Sequence, residues 1–335
     1  MDKILVIQTA FIGDVVLATA LLETLHVAYP KAAIDILVRK GNEGLFNNHP
    51  YLHKVWIWNK KNNKYRNLLK TALTIRKTKF DMVINVQRYA ATGFLTAFSK
   101  AKYRIGFDKN PFKKWFTHAI PHQFDGLHEI ERNHLLLSPF EKLNVLPSKL
   151  HPSKADFNKV APLKSVPYIC IAPASVWYTK QLPAAKWIEF VHQLTTNIKV
   201  YLLGAASDND ICHEIASECS HLNIENLAGE LSFLESAALM KDALMNYTND
   251  SAPMHFASAM NAPITAIYCS TIPAFGYGPK SEESLIIETT ENLSCRPCGL
   301  HGHNHCPKQH FNCANTIQTQ QLLAVLQSKT ASLKN

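Results

Sequence analysis

Residues Lys3–Tyr29 read KILVIQTAFIGDVVLATALLETLHVAY, and this stretch decides the fold of the chain. Ile4–Ile7 is a short apolar run of branched residues, which is typical of a strand buried on both faces. From Val15 to Ala28 the apolar residues recur every three or four positions, which predicts a helix. The turn between a parallel strand and its helix lies at the carboxyl edge of the sheet. Open α/β folds bind their ligands at this edge.

Asp14 lies in this turn, and its position allows two interpretations. An acid at the start of a helix stabilises the positive end of the helix dipole. A carboxylate at a ligand-binding edge can instead act as a general base on a substrate hydroxyl. Position alone favours the first interpretation.

The rest of the chain repeats the same strand–helix alternation on both sides of a proline-rich stretch. Residues 145–167 contain four prolines among serine, lysine and asparagine, and this composition predicts a linker. We therefore expect domains at 1–155 and 156–335. Two such alternations predict an α/β fold with two Rossmann-like domains facing a central cleft. Predicted elements include strands at 82–86, 103–107, 168–172 and 264–268 and helices at 65–77, 131–143, 184–195 and 252–260.

The composition describes an ordinary globular protein: of 335 residues, 47% are hydrophobic and 18% are charged. No apolar run approaches the roughly 20 residues that span a bilayer. The start of the chain lacks the pattern of a signal peptide, so we expect a cytoplasmic protein. Neither a GxGxxG fingerprint nor a P-loop lysine motif occurs, which argues against dehydrogenases and kinases.

The positive charge is concentrated in the first half of the chain. Residues 1–155 hold 24 Lys and Arg against 11 Asp and Glu, a net charge of +13, whereas residues 156–335 have a net charge of −4. This asymmetry indicates an anionic partner such as a phosphorylated glycan or acidic lipid headgroups. Clusters at residues 60–66 and 109–116 mix basic with aromatic side chains, which suits a membrane surface. No nucleic-acid module is recognisable, so we expect no nucleic-acid partner.

A second candidate site is the sequence Asp250-Ser251-Ala252-Pro253-Met254-His255, which follows a predicted strand and opens a helix. Ser251, the first backbone N–H groups and the helix dipole suit a diphosphate, and His255 could bond a phosphate or a ribose. An ordinary helix N-terminus would have the same kind of sequence, and the two interpretations are compatible. At the opposite strand end, Ser175 and Lys180 add a hydroxyl and a cation for phosphates from the other side.

A Cys/His-rich segment, residues 295–313, contains Cys295, Cys298, Cys306 and Cys313. Such a set of sulfur and imidazole ligands could hold a structural zinc ion. Reduced cysteines that simply pack a compact segment are the alternative. The irregular spacing of the cysteines favours that alternative slightly.

Together these pieces resemble the bacterial ADP-heptose:lipopolysaccharide heptosyltransferases, glycosyltransferase family 9. The resemblance covers nearly the whole chain. It rests on ILVIQTAFIGDVVLATALLETL near the start, HEIER at 128–132, the loop ending in Lys180, NDSAPMHFASAMNAP at 249–263 and CRPCGLHGHNHCP at 295–307. The family's Thr-Gly stands here as Ser251-Ala252, which keeps the hydroxyl.

The resemblance implies a GT-B fold with an N-terminal acceptor domain and a C-terminal nucleotide-sugar domain. It implies an inverting transfer from ADP-heptose to the anionic inner core of lipopolysaccharide, with no cofactor or metal required, at the inner face of the inner membrane. By this resemblance Asp14 is the catalytic base and Lys180 assists catalysis. The implied donor-binding residues are Ser175, Lys180, Asp250, Ser251, Ala252 and His255, and the implied acceptor-binding residues are Arg88, Glu131 and Arg132. Three alternatives remain open: another sugar donor, a nucleotide-sugar epimerase, or a glycan-binding protein without activity.

Overall fold

The computed structural model describes residues 1–123, 126–140, 143–195, 197–219 and 223–332. The chain forms two compact units, Met1–His151 and Pro152–Asn335. Each unit is built on a parallel sheet covered by helices, so the predicted α/β class is confirmed. No helix among the described residues combines the length and the apolar character that a bilayer span requires.

The first unit centres on the strand that the opening stretch predicts. Within the described residues its sheet has the order β3-β2-β1-β4-β5-β6, and every neighbouring pair is parallel. Ile4–Ile7 in β1 is fully buried because strands pair on both sides of it and helices cover both faces. The strands are β1 (Lys3–Ile7), β2 (Ala33–Arg39), β3 (Leu52–Trp58), β4 (Met82–Asn85), β5 (Tyr103–Phe107) and β6 (His118–Ile120). The helices are α1 (Ile12–Ala28), α2 (Lys64–Thr78), α3 (Ala90–Phe98) and α4 (Glu129–His134).

The second unit repeats this plan with the sheet order β12-β11-β10-β7-β8-β9. Trp187 and Phe190 of the helix Ala184–His192 pack with Tyr247 of the sheet in one hydrophobic core. The strands are β7 (Tyr168–Ala172), β8 (Lys199–Leu202), β9 (Ile224–Asn226), β10 (Asn246–Asn249), β11 (Ile264–Tyr268) and β12 (Ser284–Glu288). The helices are α5 (Lys154–Val160), α6 (Ala184–His192), α7 (Asn209–Glu218), α8 (Phe233–Lys241), α9 (Ala252–Ala259), α10 (Asn312–Asn315) and α11 (Thr319–Ser332).

Two stretches differ from the sequence-based prediction. The boundary predicted after residue 155 falls inside α5, because Ser153 and Asp156 form a capping box that starts a helix within the proline-rich stretch. The helix predicted at 131–143 is wrong: α4 ends at His134 and a single 3₁₀ turn follows. Pro139 has no N–H to donate and its ring blocks the preceding turn, so a helix cannot continue through it. Residues 141 and 142 of that prediction lie outside the described part.

Candidate functional site

Asp14 lies at the third position of α1, whose N-cap residue is Phe11, and its side chain is half-buried. The turn that carries it is fixed by Gln8, the residue that follows β1. The Gln8 side-chain amide donates to the Asp14 carbonyl at 3.5 Å, and its Oε1 accepts from Ala10 N at 3.2 Å. Asp14 is therefore not the N-cap residue. It can stabilise the start of the helix through its negative charge in the first turn.

Gln87, the residue that follows Val86 beyond β4, completes a buried polar network under this turn. Its Nε2 donates to Gln8 Oε1 at 2.8 Å, and its Oε1 accepts from Thr9 Oγ1 at 3.1 Å. The ends of two neighbouring strands are thereby locked together beside Asp14. Sequence reasoning missed this network, although a glutamine soon after each of two buried strands is a readable signal.

Basic side chains surround the turn. Arg39 ends β2, and its guanidinium lies 4.7 Å from the centre of the Phe11 ring. Burial lowers the pKa of Arg39, while the nearby charge of Asp14 opposes that shift. Lys60 donates to the Thr9 carbonyl at 2.7 Å. Its pKa is lowered to about 8, first by burial and then by the charges of Arg39 and Lys64. An anionic ligand at this edge would relieve the repulsion among these cations.

Arg132 is 1% exposed and forms an ion pair with Glu129 one helical turn earlier. Its remaining donors bond Gln123 O at 3.1 Å and Leu127 O at 2.8 Å. Burial raises the pKa of Glu129, the charge of Asp14 raises it further, and the charge of Arg132 opposes both. Glu129 is therefore a buried carboxyl within the electrostatic reach of Asp14, and sequence reasoning did not select it.

Glu131 and Arg88, the other two residues predicted to bind the acceptor, have different surroundings. Glu131 accepts from His128 N at 3.0 Å, and the His128 ring accepts from Ile130 N, which together form a capping box at the start of α4. Arg88 is half-buried, and its charge acts on both Glu129 and His122. The charges of Arg88, Arg132 and Asp14 therefore all act on the buried Glu129. Acceptor binding by Arg88, Glu131 and Arg132 stays a prediction.

In the second unit, Lys180 and Asp250 form an ion pair with Nζ and Oδ2 at 2.6 Å. Asp250 also accepts from Thr271 Oγ1 at 2.7 Å. The preceding residue, Asn249, accepts from Leu182 N at 2.9 Å and donates to Pro173 O at 2.6 Å. The end of β10 is thus bonded to both sides of the loop that carries Lys180, and this bonding fixes the position of the cation.

Ser251 is the N-cap residue of α9, and Ala252 begins the helix. Within the described part of the chain Ser251 makes no side-chain capping bond, and its hydroxyl instead lies 3.4 Å from the Asn249 carbonyl. His255 is buried one turn into α9, whereas Ser175 is half-buried in the loop after β7. The start of α9 therefore follows directly on the Lys180–Asp250 pair, and donor binding by Ser175, Lys180, Asp250, Ser251, Ala252 and His255 stays a prediction.

The Cys/His-rich segment is hydrogen-bonded to the loop that carries Lys180. Thr179 N donates to His303 O at 3.0 Å, and His303 N donates to Thr179 Oγ1 at 2.8 Å. Gly302 has φ +76°, and a Cβ there would lie 2.9 Å from Thr179 Oγ1. This close approach requires glycine and joins the segment to the loop that carries Lys180.

The cysteines of this segment lie near one another as free thiols. Burial raises the pKa of Cys298, and the thiols of Cys295 and Cys306 add to the shift. Burial likewise raises the pKa of Cys313 to about 11, and the thiols of Cys298, Cys306 and Cys295 add to the shift. Cys295 Sγ also lies 3.9 Å from His310 Nε2. Zinc binding by Cys295, Cys298, Cys306 and Cys313 stays a prediction.

Comparison with known proteins identifies the class that this fold and site define. The family model described as glycosyltransferase family 9 (heptosyltransferase) matches residues 68–303. The chain therefore belongs to glycosyltransferase family 9, and the family resemblance read from its motifs is confirmed.

Individual relatives agree with this assignment. Lipopolysaccharide heptosyltransferase 3 of Escherichia coli is 25% identical over 281 residues, which are 78% of this chain and 82% of the relative. The solved structure of E. coli ADP-heptose LPS heptosyltransferase II has a TM-score of 0.82 at 21% identity and covers 99% of this chain and 100% of its own. E. coli heptosyltransferase WaaC with ADP has a TM-score of 0.76 at 16% identity, covering 98% and 99%. The GT-B-like fold class is confirmed by these matches.

Proposed function

We propose that this chain is an inverting heptosyltransferase that moves heptose from ADP-heptose to the anionic inner core of lipopolysaccharide. The observation that carries the proposal is the position of Asp14. In a family 9 chain, this half-buried carboxylate lies at a sheet edge near Arg39, and its charge and that of Arg88 both act on Glu129. A base of this kind needs an acceptor held beside it, and the surrounding cations suit phosphates or acidic sugars.

The second unit would bind the donor. Lys180, the Ser251 hydroxyl, the first N–H groups of α9 and His255 bind the diphosphate, and Asp250 orients Lys180 and accepts from a sugar hydroxyl. Negative charge develops on the departing ADP, and fixed positive groups placed there lower the barrier. One of the solved family structures was determined with ADP, which supports a nucleotide of this kind.

The first unit would hold the acceptor and carry out the proton transfer. Asp14 takes the proton of the acceptor hydroxyl as its oxygen attacks the anomeric carbon. The bond from that carbon to the diphosphate breaks on the opposite face, so the configuration inverts. Arg39, Lys60 and Arg88 bind the acceptor's anionic groups. Side chains and helix termini stabilise all the charge that develops in this proposed reaction, which needs no metal.

We further propose that the first unit contacts the inner face of the inner membrane from the cytoplasm, where a lipid-anchored acceptor would lie. Tyr65, Leu69 and Leu73 form an apolar row on α2 and are 79%, 52% and 54% exposed. Lys64 and Lys70 lie on the same helix. A basic helix with an exposed apolar row suits an anionic bilayer surface.

A transfer assay with purified protein tests the proposed reaction. ADP-heptose should raise the melting temperature, because a ligand that binds only the folded state stabilises it. ADP should then be released only when a lipid A acceptor carrying the acidic inner-core sugar is present. Release of no ADP with any such acceptor would contradict the proposal. Epimerisation of the sugar without an acceptor would establish the epimerase alternative.

A further inference from the structure

Glu23, His49 and His151 form a compact cluster in the first unit, away from the site described above. The ligand atoms of the three side chains all lie within 4.8 Å of one another. His151 Nε2 lies 2.8 Å from Glu23 Oε1, and the two side chains are 17% and 15% exposed. Glu23 lies on α1 about 14 Å along the helix axis from Asp14. The cluster therefore stands apart from the proposed base.

His49 is the member of the cluster whose polar ring atoms are unsatisfied. Both of its ring nitrogens are buried, and among the described residues neither has a hydrogen-bond partner. A neutral imidazole has one donor and one acceptor, and leaving both unsatisfied away from water is unfavourable. The rings of Tyr51 and His151 each lie 4.5 Å from it, centre to centre. One of its nitrogens lies within 4.8 Å of the ligand atoms of Glu23 and His151.

Hydrogen bonds from its neighbours hold the Glu23 carboxylate in place. Tyr51 OH donates to Glu23 Oε1 at 2.8 Å, so one carboxylate oxygen is held by two neighbours. This tyrosine would orient a coordinating carboxylate, as hydrogen-bonded neighbours of metal ligands commonly do.

We propose that Glu23, His49 and His151 bind a zinc ion, with water in the fourth position. Two imidazoles and one carboxylate are a set of ligands that zinc accepts. Ligand atoms around tetrahedral zinc stand about 3.4 Å apart. The ligand atoms of the cluster lie within 4.8 Å of one another, so the longer separations would close by about 1.4 Å at most, whereas the His151–Glu23 pair, now at 2.8 Å, would open slightly. The ion would replace the His151–Glu23 hydrogen bond and give the buried His49 nitrogen a partner.

The three ligands come from distant parts of the first unit. Glu23 lies on α1, His49 precedes β3, and His151 is the last residue of the unit. The ion would therefore tie the end of the unit to its first helix and act as a structural cross-link. Because none of the three is assigned to the transfer reaction, metal content tests the site independently of activity.

The test compares metal binding by the full-length chain and by the double variant His49→Gln/His151→Gln. His213→Gln is the matched control, because His213 is an exposed histidine on α7 of the other unit. After chelation and dialysis, each protein is titrated with Zn²⁺, and bound metal and melting temperature are measured. The wild type and the control should bind about one equivalent more than the double variant. Zinc should also raise their melting temperature more than that of the variant.

Titration of the wild type with Co²⁺ keeps the proposal testable if the double variant folds poorly. A site of imidazole and carboxylate ligands gives the visible bands of four-coordinate Co²⁺ without a thiolate charge-transfer band. This feature separates it from metal held by the cysteines of residues 295–313. Equal zinc content in a folded double variant, or Co²⁺ bound only with thiolate charge transfer, would overturn the proposal.

Discussion

Lys180 and Asp250 form an ion pair whose side chains are 15% and 7% exposed. A pair so far removed from water adds little net stability, but removing one partner leaves an uncompensated buried charge. We expect Lys180→Met to lower the free energy of unfolding by about 3 kcal/mol. The double variant Lys180→Met/Asp250→Asn should recover a large part of that loss. Urea unfolding of both variants measures the difference.

The affinity for ADP should not follow the stability of the same two variants. If Lys180 holds the diphosphate, ADP should bind weakly to both, including the double variant that has regained stability. Isothermal titration with ADP makes this comparison. Wild-type ADP affinity in the double variant would show that the pair has a structural role only.

His122 supplies a pH-dependent contribution to the stability of the first unit. Its ring is buried, and burial together with the charges of Arg88 and Arg132 lowers its pKa to about 4. Between pH 6.5 and 4 the unfolded chain binds this proton and the folded chain does not, so stability falls as the pH falls. From pH 7 to pH 5 the loss attributable to this ring is about 2 kcal/mol.

His122→Gln removes the titrating group and should flatten that dependence by the same amount. Urea midpoints of wild type and variant at pH 7 and pH 5 provide the measurement. The comparison uses the change with pH, so a constant packing cost of the substitution cancels. Equal pH dependence in the two proteins would show that His122 does not carry the effect.

At the scale of elements, the Cys/His-rich segment and the Lys180 loop behave as one structural piece. Gly302→Ala would place a methyl group 2.9 Å from Thr179 Oγ1 at a φ of +76°. We expect it to weaken ADP binding about tenfold by displacing the loop, a cost near 1.4 kcal/mol.

Gly299→Ala is the matched control, because Gly299 also has a positive φ, +69°, but nothing described lies within 4 Å of its added Cβ. Both variants carry backbone strain, and Gly302→Ala alone disturbs Thr179. Titration with ADP compares them. Equal weakening in the two would mean that strain alone, and not contact with the loop, affects the donor site.

The elements that the sequence predicted well are those with strong local patterns. β7 and β11 have the predicted bounds because largely apolar runs mark strands buried on both faces. The edge strands β6, β9 and β12 were missed, because they are short or partly exposed and lack such a run. Their existence depends on pairing with a neighbour, which local sequence does not encode.

The site shows the same division. Asp14, Lys180 and Asp250 were predicted because strand ends and motifs mark them. Glu129 was missed because its importance arises from burial beside Arg132, a tertiary contact. Glu131 illustrates the converse: His128 and Glu131 have capping-box spacing, a local signal that explains the residue without any ligand.

At the scale of the whole molecule, the positive charge of the first half should control membrane binding. We expect the protein to sediment with vesicles containing anionic lipid and not with neutral ones, and to dissociate as salt screens the charge. Substituting Tyr65, Leu69 and Leu73 by serine removes the exposed apolar row of α2 and should weaken binding about tenfold or more.

The control for this prediction replaces Val27, Val176 and Leu285 by serine, which are exposed apolar residues outside α2. These changes should leave vesicle binding unchanged. If both triple variants bind as the wild type does, α2 is not the contact surface.

The transfer rate of Asp14→Asn tests the central claim most directly, with Asp210→Asn as control because Asp210 is also an acid in the first turn of a helix. The asparagine keeps the shape of the side chain but cannot accept the acceptor's proton. We predict that kcat falls by about a hundredfold or more while the affinity for ADP-heptose stays near that of the wild type, and that the control transfers normally. Transfer by a folded Asp14→Asn protein at close to the wild-type rate would contradict the account.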